Sequence, residues 1–327
     1  MIKLPPKVWL AIRLLFSAGL LWLAFRPIDW TALVQASQQL QVGWLLVALG
    51  LIVASNVLAA CRWGWIMRRS HLWQPWGRYI SLYFAGGLIN QGIPSTLGGD
   101  TYRAIQSTHG LRMADGPALR YGLLAVALDR AMGLSGNIIL GAIGLIIGGS
   151  LLIAWAPQVG WLLLIALVIA GLGIGLLIPR PRFNAFLRRA LAAIRLPHGL
   201  DSVTCVFGWP FNVMQLIVAV SIHAINLTTF WACLKAYGVE TAPEALMIGL
   251  PALGLLMMLP ISISGWGLRE TTLSAVLLLW AVPASTTVLA SISYGLLVIV
   301  AYLPALWVLL RSKNGSSLSA ATTIPEL

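Results

Sequence analysis

Charge is what this sequence has least of. Asp, Glu, Lys and Arg make up 9% of its 327 residues, against about 25% in ordinary globular chains. A water-soluble surface carries roughly 25–35% charged residues, so a soluble enzyme, a secreted scaffold and a disordered polar chain are all excluded. Cysteine is scarce as well. Cys61, Cys205 and Cys233 form no C-x-x-C pair and have no histidine at metal spacing, which reads as inert packing. With four histidines the chain has no H-E-x-x-H helix, and it also lacks a G-x-S-x-G elbow and a P-loop. No catalytic residue, metal ligand or cofactor is assigned. Acidic residues are the rarest charges, 9 against 21 basic, for a formal net charge of +12. In a soluble chain that excess would suggest nucleic acid. Here the arginines stand at the ends of apolar runs, the positive-inside pattern of membrane proteins, so nucleic acid is not an expected partner.

What the chain has is apolar sequence: 59% hydrophobic residues and a mean hydropathy of +0.89. The expected fold is all-α, a polytopic membrane helix bundle over residues 1–313, followed by a Ser/Thr/Ala-rich, disordered cytoplasmic tail over 314–327. A first span runs over Val8–Phe25. Arg13 interrupts it and no A-x-A site follows, so it reads as a retained anchor rather than a cleaved signal. An interfacial stretch lies around Trp30–Leu40. The second span, Gly43–Cys61, ends in Arg62, Arg68, Arg69 and Arg78, which read as cytoplasmic markers. A long helix covers Ala118–Gly149, with Gly144 and Gly148 at the small-residue spacing of close helix packing. Gly160–Ile178 returns to an arginine-rich amphipathic stretch, Phe183–Ile194. Val213–Leu234 crosses outward, and its His223 and Asn226, one turn apart, read first as an interhelical hydrogen-bonding pair and second as the lining of a pathway. The last span is Thr286–Leu310. Both termini are expected in the cytoplasm, in the inner (cytoplasmic) membrane.

Two apolar runs are too short to cross. Tyr79–Ile93 has 15 residues, about 22 Å as a helix, and stops at Asn90-Gln-Gly-Ile-Pro94-Ser95-Thr96-Leu-Gly98-Gly99-Asp100, with Arg103 three residues on. Ala245–Pro260 stops in the same way at Ile-Ser262-Ile-Ser264-Gly265-Trp-Gly267-Leu-Arg269-Glu270. Each reads as a re-entrant hairpin, the first opening to the cytoplasm and the second outward. The pair predicts an inverted repeat (about 43–178 and about 205–313) with a site where the broken helices meet near the midplane.

Asp100, Arg103, Asp129, Arg130, Arg269 and Glu270 fall in or beside membrane-length runs. Facing lipid at roughly 2.5–3.5 kcal/mol each, they would cost on the order of 15–20 kcal/mol, more than the typical 5–15 kcal/mol of net stability. They must face inward, either as ion-pair latches or around a wetted cavity. Ser95/Thr96 ahead of Gly98-Gly99, and Ser262/Ser264 ahead of Gly265 and Gly267, look like N-caps that open helices. Helix N-termini offer free N–H groups and partial positive charge to an anion, and arginine grips phosphate with two parallel bonds. The candidate substrate-binding residues are therefore Asn90, Ser95, Gly98, Gly99, Asp100, Arg103, Asp129, Arg130, Ser262, Gly265, Gly267, Arg269 and Glu270.

Asn90, Pro94 and Gly98-Gly99-Asp100-x-x-Arg103, followed by Pro260-x-Ser262-x-x-Gly265-x-Gly267-x-Arg269-Glu270, resemble the lysylphosphatidylglycerol synthase transmembrane-region family over nearly the whole chain. Asp129-Arg130 departs from the Glu-Arg of that pattern. The resemblance implies a flippase-like lipid translocator without the aminoacyl transferase domain that some members carry. Its implied partners are membrane lipids, phospholipid or polyprenyl-phosphate-linked, and a lipid-synthesising enzyme. Two other readings stand beside it: a membrane enzyme that modifies headgroups with Asp100, Asp129 or Glu270 as acid and base, and a non-transporting partner of a cell-envelope enzyme.

Overall fold

A computed structural model describes residues 6–26, 30–38, 40–92, 97–113, 116–155, 208, 210–258 and 262–313. The described chain is helical: α1 (Pro6–Phe25), α2 (Trp30–Gln38), α3 (Val42–Arg69), α4 (Trp76–Gly92), α5 (Leu97–Thr108), α6 (Ala118–Trp155), α7 (Phe211–Lys235), α8 (Pro243–Leu256), α9 (Leu268–Leu277), α10 (Ala284–Tyr302) and α11 (Ala305–Lys313). A two-residue antiparallel ladder, β1 (Arg112–Met113) with β2 (Gly116–Pro117), pairs Arg112 with Pro117 and Met113 with Gly116 between α5 and α6.

Four segments are long and apolar enough to cross a membrane: Val42–Arg69, Ala118–Ser150, Phe211–Ala236 and Ala284–Tyr302. Large apolar side chains such as Leu46, Val47, Ile146, Ile147, Ile217 and Leu296 stand exposed on their outer faces. Water would not tolerate apolar surface on that scale; lipid does. The chain is a multi-pass membrane protein. The expected span Gly160–Ile178, the amphipathic stretch Phe183–Ile194 and the tail 314–327 lie outside the described residues.

Three boundaries differ from the sequence reading. The helix of the second span does not end at Cys61 but continues through Arg69, because Trp63, Ile66 and Met67 keep the helical spacing and are fully buried. The final span is two helices, parted at Leu303-Pro304, since proline has no N–H to give and its ring clashes with the preceding turn. Finally, α5 starts at Leu97, so Gly98-Gly99-Asp100 forms its first turn rather than the approach to it.

The packing falls into two halves. In the first, α3 meets α4, α4 meets α5, α5 meets α6 and α3 meets α6. In the second, α7 meets α8, α8 meets α9, α9 meets α10 and α7 meets α10. Across the halves α3 packs on α7, α6 on α7 and α8, and α10 on α3 and α4. Swapping α3–α6 for α7–α10 leaves this set of neighbours unchanged. Each half also has its own core, one around Trp63, Tyr79, Tyr121 and Met132, the other around Phe230, Leu246, Leu273 and Leu277. Glycines set the closest crossings. A Cβ on Gly144 would lie 2.7 Å from Met247 of α8, and one on Gly136 2.7 Å from Ala219 of α7, the close packing expected of small residues along α6.

Candidate functional site

The interruptions of the two short apolar runs touch. The Ser264 hydroxyl donates to the carbonyls of Asn90 (2.9 Å) and Gln91 (3.0 Å) at the end of α4. Ser264 adopts φ 51°, an unusual left-handed conformation for a residue with a Cβ. It is therefore a tie between the halves and not the N-cap of α9. At α9 that position belongs to Gly267, φ 82°, whose N–H is held by the Glu270 carboxylate at 2.6 Å. In α5 the Gly99 N–H donates to Asn90 Oδ1 at 2.8 Å. Neither helix start offers these N–H groups to a ligand, contrary to the expectation of free donors: Glu270 is already the anion at the second. Ser262 is half-buried beside it, while Ser95 lies outside the described residues.

The charges separate into two clusters of different character. The first joins α3, α5 and α6. Arg62 donates Nε to Asp129 Oδ1 (2.9 Å) and Nη2 to the same oxygen (2.8 Å) and to the Asp129 carbonyl (3.2 Å). Arg103 bridges both aspartates, Asp100 Oδ1 at 3.1 Å and Asp129 Oδ2 at 3.2 Å. Arg130 Nε donates to Asp100 Oδ2 at 2.8 Å. All four carboxylate oxygens are thus occupied by arginine. The network is nearly dry except at Arg130, whose side chain is 52% exposed. The Arg103 guanidinium also packs 5.0 Å from the rings of Trp63 and Tyr83, and its buried Nη1 has no hydrogen-bond partner among the described residues.

These five residues line a cavity of about 390 Å³, within the usual range for small-ligand sites. Asn90 and Gly99 line it too, as do Asn137 of α6, and His223, Asn226, Gly254 and Met258 from the second half. His223 Nε2 donates to the Gly133 carbonyl at 2.8 Å, the interhelical bond that the sequence reading put first, and the residue also lines the cavity. Asn137 donates to the Pro251 carbonyl at 3.0 Å, tying α6 to α8.

The second cluster is sealed. Arg269 Nε and Nη2 meet Glu270 Oε1 at 3.1 and 2.9 Å, Nε also reaches Ser291 Oγ at 2.8 Å, and Ser291 donates to the same carboxylate oxygen at 2.8 Å. Trp266 and Tyr294 lie 5.0 and 5.6 Å from the guanidinium. Gly295 of α10 leaves the space Arg269 fills. Nearby, Ser17 Oγ accepts from the Ile263 N–H (3.0 Å) and the Leu20 carbonyl from Thr271 (3.1 Å), so α1 closes over this region. Arg269, Glu270, Ser262, Gly265, Gly267 and Gly98 do not line the cavity, whereas Asn90, Gly99, Asp100, Arg103, Asp129 and Arg130 do.

Arg62 is the residue the sequence reading misplaced. Grouped with Arg68, Arg69 and Arg78 it looks like a cytoplasmic marker, yet it is 5% exposed and bonded to Asp129. Its position three residues after Ala59 and four before Ile66, both buried, was the available signal. Asn137 was missed as well, although Asp129, Gly133 and Asn137 recur every fourth residue on one face of α6. Among the described residues no group of His, Cys, Asp and Glu could hold a metal ion.

A family model described as the lysylphosphatidylglycerol synthase TM region matches residues 10–307. No curated protein matches, and no solved structure does.

Proposed function

The chain belongs to the lysylphosphatidylglycerol synthase TM-region family, a family tied by that description to lipid headgroups, and from this premise we propose that it is a flippase-like translocator that carries an anionic headgroup between leaflets through the cavity around Arg103 and Arg130. The observation that carries the reading is the cavity itself. It sits between two equivalently packed helix sets, and its charged wall holds three guanidiniums against two carboxylates among the described residues. A headgroup leaving water needs its phosphate neutralised and hydrogen-bonded, and arginine supplies both. The two matched sets of helices, read as inverted repeats with re-entrant α4–α5 and α8–α9 pairs, would expose the cavity to one side and then the other. The ties between Ser264 and the end of α4 would then be the contacts that form and break. In this reading the chain performs no chemical step, resides in the cytoplasmic membrane with both termini inside, and takes its cargo from a lipid-synthesising enzyme.

Proteoliposomes carrying a headgroup-labelled lipid test this. A membrane-impermeant quencher reaches only outer-leaflet label, so the protein is expected to raise the quenchable fraction with time. Equal exchange with and without protein, across anionic phospholipids and polyprenyl-phosphate lipids, overturns it. Lipid mass spectrometry of a deletion strain separates the enzyme reading: a lost chemical species favours an enzyme, and an unchanged inventory with altered leaflet distribution favours transport.

A further inference from the structure

Two of the side chains that line the cavity reach from one half of the molecule to the other, and we propose that they are its gates: Asn137 of α6 closes it against α8, Tyr302 of α10 closes it against α4, and each opens a different side. The inference rests on reading the two helix sets as inverted repeats around a transport cavity.

The two contacts are built alike. α6 on α8 and α10 on α4 are the same pairing under the exchange of halves. Asn137 is the twentieth residue of α6 and Tyr302 the nineteenth of α10. Each lies against the glycine that is the twelfth residue of the short helix it meets, Gly254 in α8 and Gly87 in α4. A Cβ on Gly254 would stand 2.9 Å from Asn137 Oδ1, and one on Gly87 would run into the Tyr302 ring. The bare backbone lets a side chain of the other half lie across the helix. Each is then fastened by one neutral hydrogen bond. Asn137 Nδ2 donates to the Pro251 carbonyl at 3.0 Å, and the Tyr302 hydroxyl donates to Asn56 Oδ1 of α3 at 2.7 Å.

Both side chains stand at an edge of the cavity. Asn137 also lines a recess of about 20 Å³ made by α6 and α8, with Gly141, Leu145, Ala252 and Leu255. Among the described residues it is the lining residue that the two spaces share, so withdrawing its amide joins them. Tyr302 ends α10, directly before the Leu303-Pro304 break, and Leu303 is already 49% exposed. Element ends are where hinges form, because few backbone bonds must change there. A ligand shifts such a gate only if the closed and open states differ by little, which one neutral bond allows. The charge-assisted bonds that join Arg269, Glu270 and Ser291 hold their junction far harder, and Ser264 ties the halves without lining the cavity. Equivalent positions of inverted repeats stand toward opposite sides of the membrane. Opening Asn137 and opening Tyr302 therefore expose the cavity to opposite sides.

The test reads access to the cavity without any lipid cargo. Asn226→Cys places a thiol on the cavity wall. A membrane-impermeant maleimide is then applied to right-side-out and to inverted vesicles holding the full-length protein, with the parent protein as the background for Cys61, Cys205 and Cys233. Asn137→Ala is expected to raise the labelling rate from one face about fivefold, the weight of one neutral hydrogen bond. Tyr302→Phe, which keeps the ring, should raise it as much from the opposite face. Gly254→Ala, whose methyl group would displace the Asn137 amide, should act on the face that Asn137→Ala opens. The same face for both gates, a rise from both faces at once, or no change overturns the inference. Opposite-face opening without leaflet exchange keeps the gates and removes translocation. Leaflet exchange with labelling unchanged by either variant keeps translocation and removes the gates.

Discussion

Arg62 and Arg269 are both buried arginines bonded to a carboxylate, and their surroundings give them different work. Arg62 stands over a cavity and shares Asp129 with Arg103. Arg269 stands in a packed junction where Glu270, itself fully buried, also holds the Gly267 N–H and Ser291. Arg269→Ala therefore strips a buried carboxylate of its only bonded arginine among the described residues. Breaking such a pair from one side costs about 3–5 kcal/mol, to be seen as a large drop in the unfolding midpoint of the purified protein. A midpoint equal to wild type would contradict the latch role. Ser264→Ala makes a milder case. It removes one hydroxyl shared between two carbonyls of α4, an expected loss of about 1 kcal/mol in denaturant titration; an unchanged stability would contradict the tie.

At the scale of elements, the pairing of α4 with α5 depends on two glycines. A Cβ on Gly86 would lie 2.8 Å from the Gly99 carbonyl, and one on Gly99 would run into the Gly86 carbonyl. Both obstacles are backbone, so the helices must separate to accept a methyl group. Gly99→Ala is expected to destabilise by about 1–3 kcal/mol, as overpacking does, and to disturb Asp100 in the same turn. A variant as stable as wild type would show that the pair is looser than this. These elements were legible because their signals are local: apolar runs of known length, a Pro/Ser/Gly interruption, a carboxylate beside an arginine. The division of the charges into a set that lines a cavity and a set that does not was hidden. Asp100-x-x-Arg103 and Arg269-Glu270 look alike as strings, and only the third-dimension partners, Asp129 and Arg62 for one, Ser291 and Gly295 for the other, separate them. The misreading of Arg62 has the same origin. Positive-inside reasoning counts arginines near a span, but a helix that continues past the apolar run carries its first arginine back inside.

For the molecule as a whole, the matched neighbour sets put a cavity between two halves, and a ligand in it would meet side chains of α3, α5, α6 and α7. The central claim is that this cavity carries a lipid headgroup and that Arg130 is its exposed grip. Because the Arg130 side chain is half exposed and, among the described residues, bonds through a single nitrogen, Arg130→Ala separates function from folding better than any buried member of the network. The most direct measurement is the rate of leaflet exchange of labelled phosphatidylglycerol in proteoliposomes, wild type against Arg130→Ala, with matched protein content and unfolding midpoints. Loss of a charge-assisted grip worth about 1.5–3 kcal/mol predicts a rate at least tenfold lower with little change in midpoint. An exchange rate equal to wild type in a fully folded Arg130→Ala protein would contradict it.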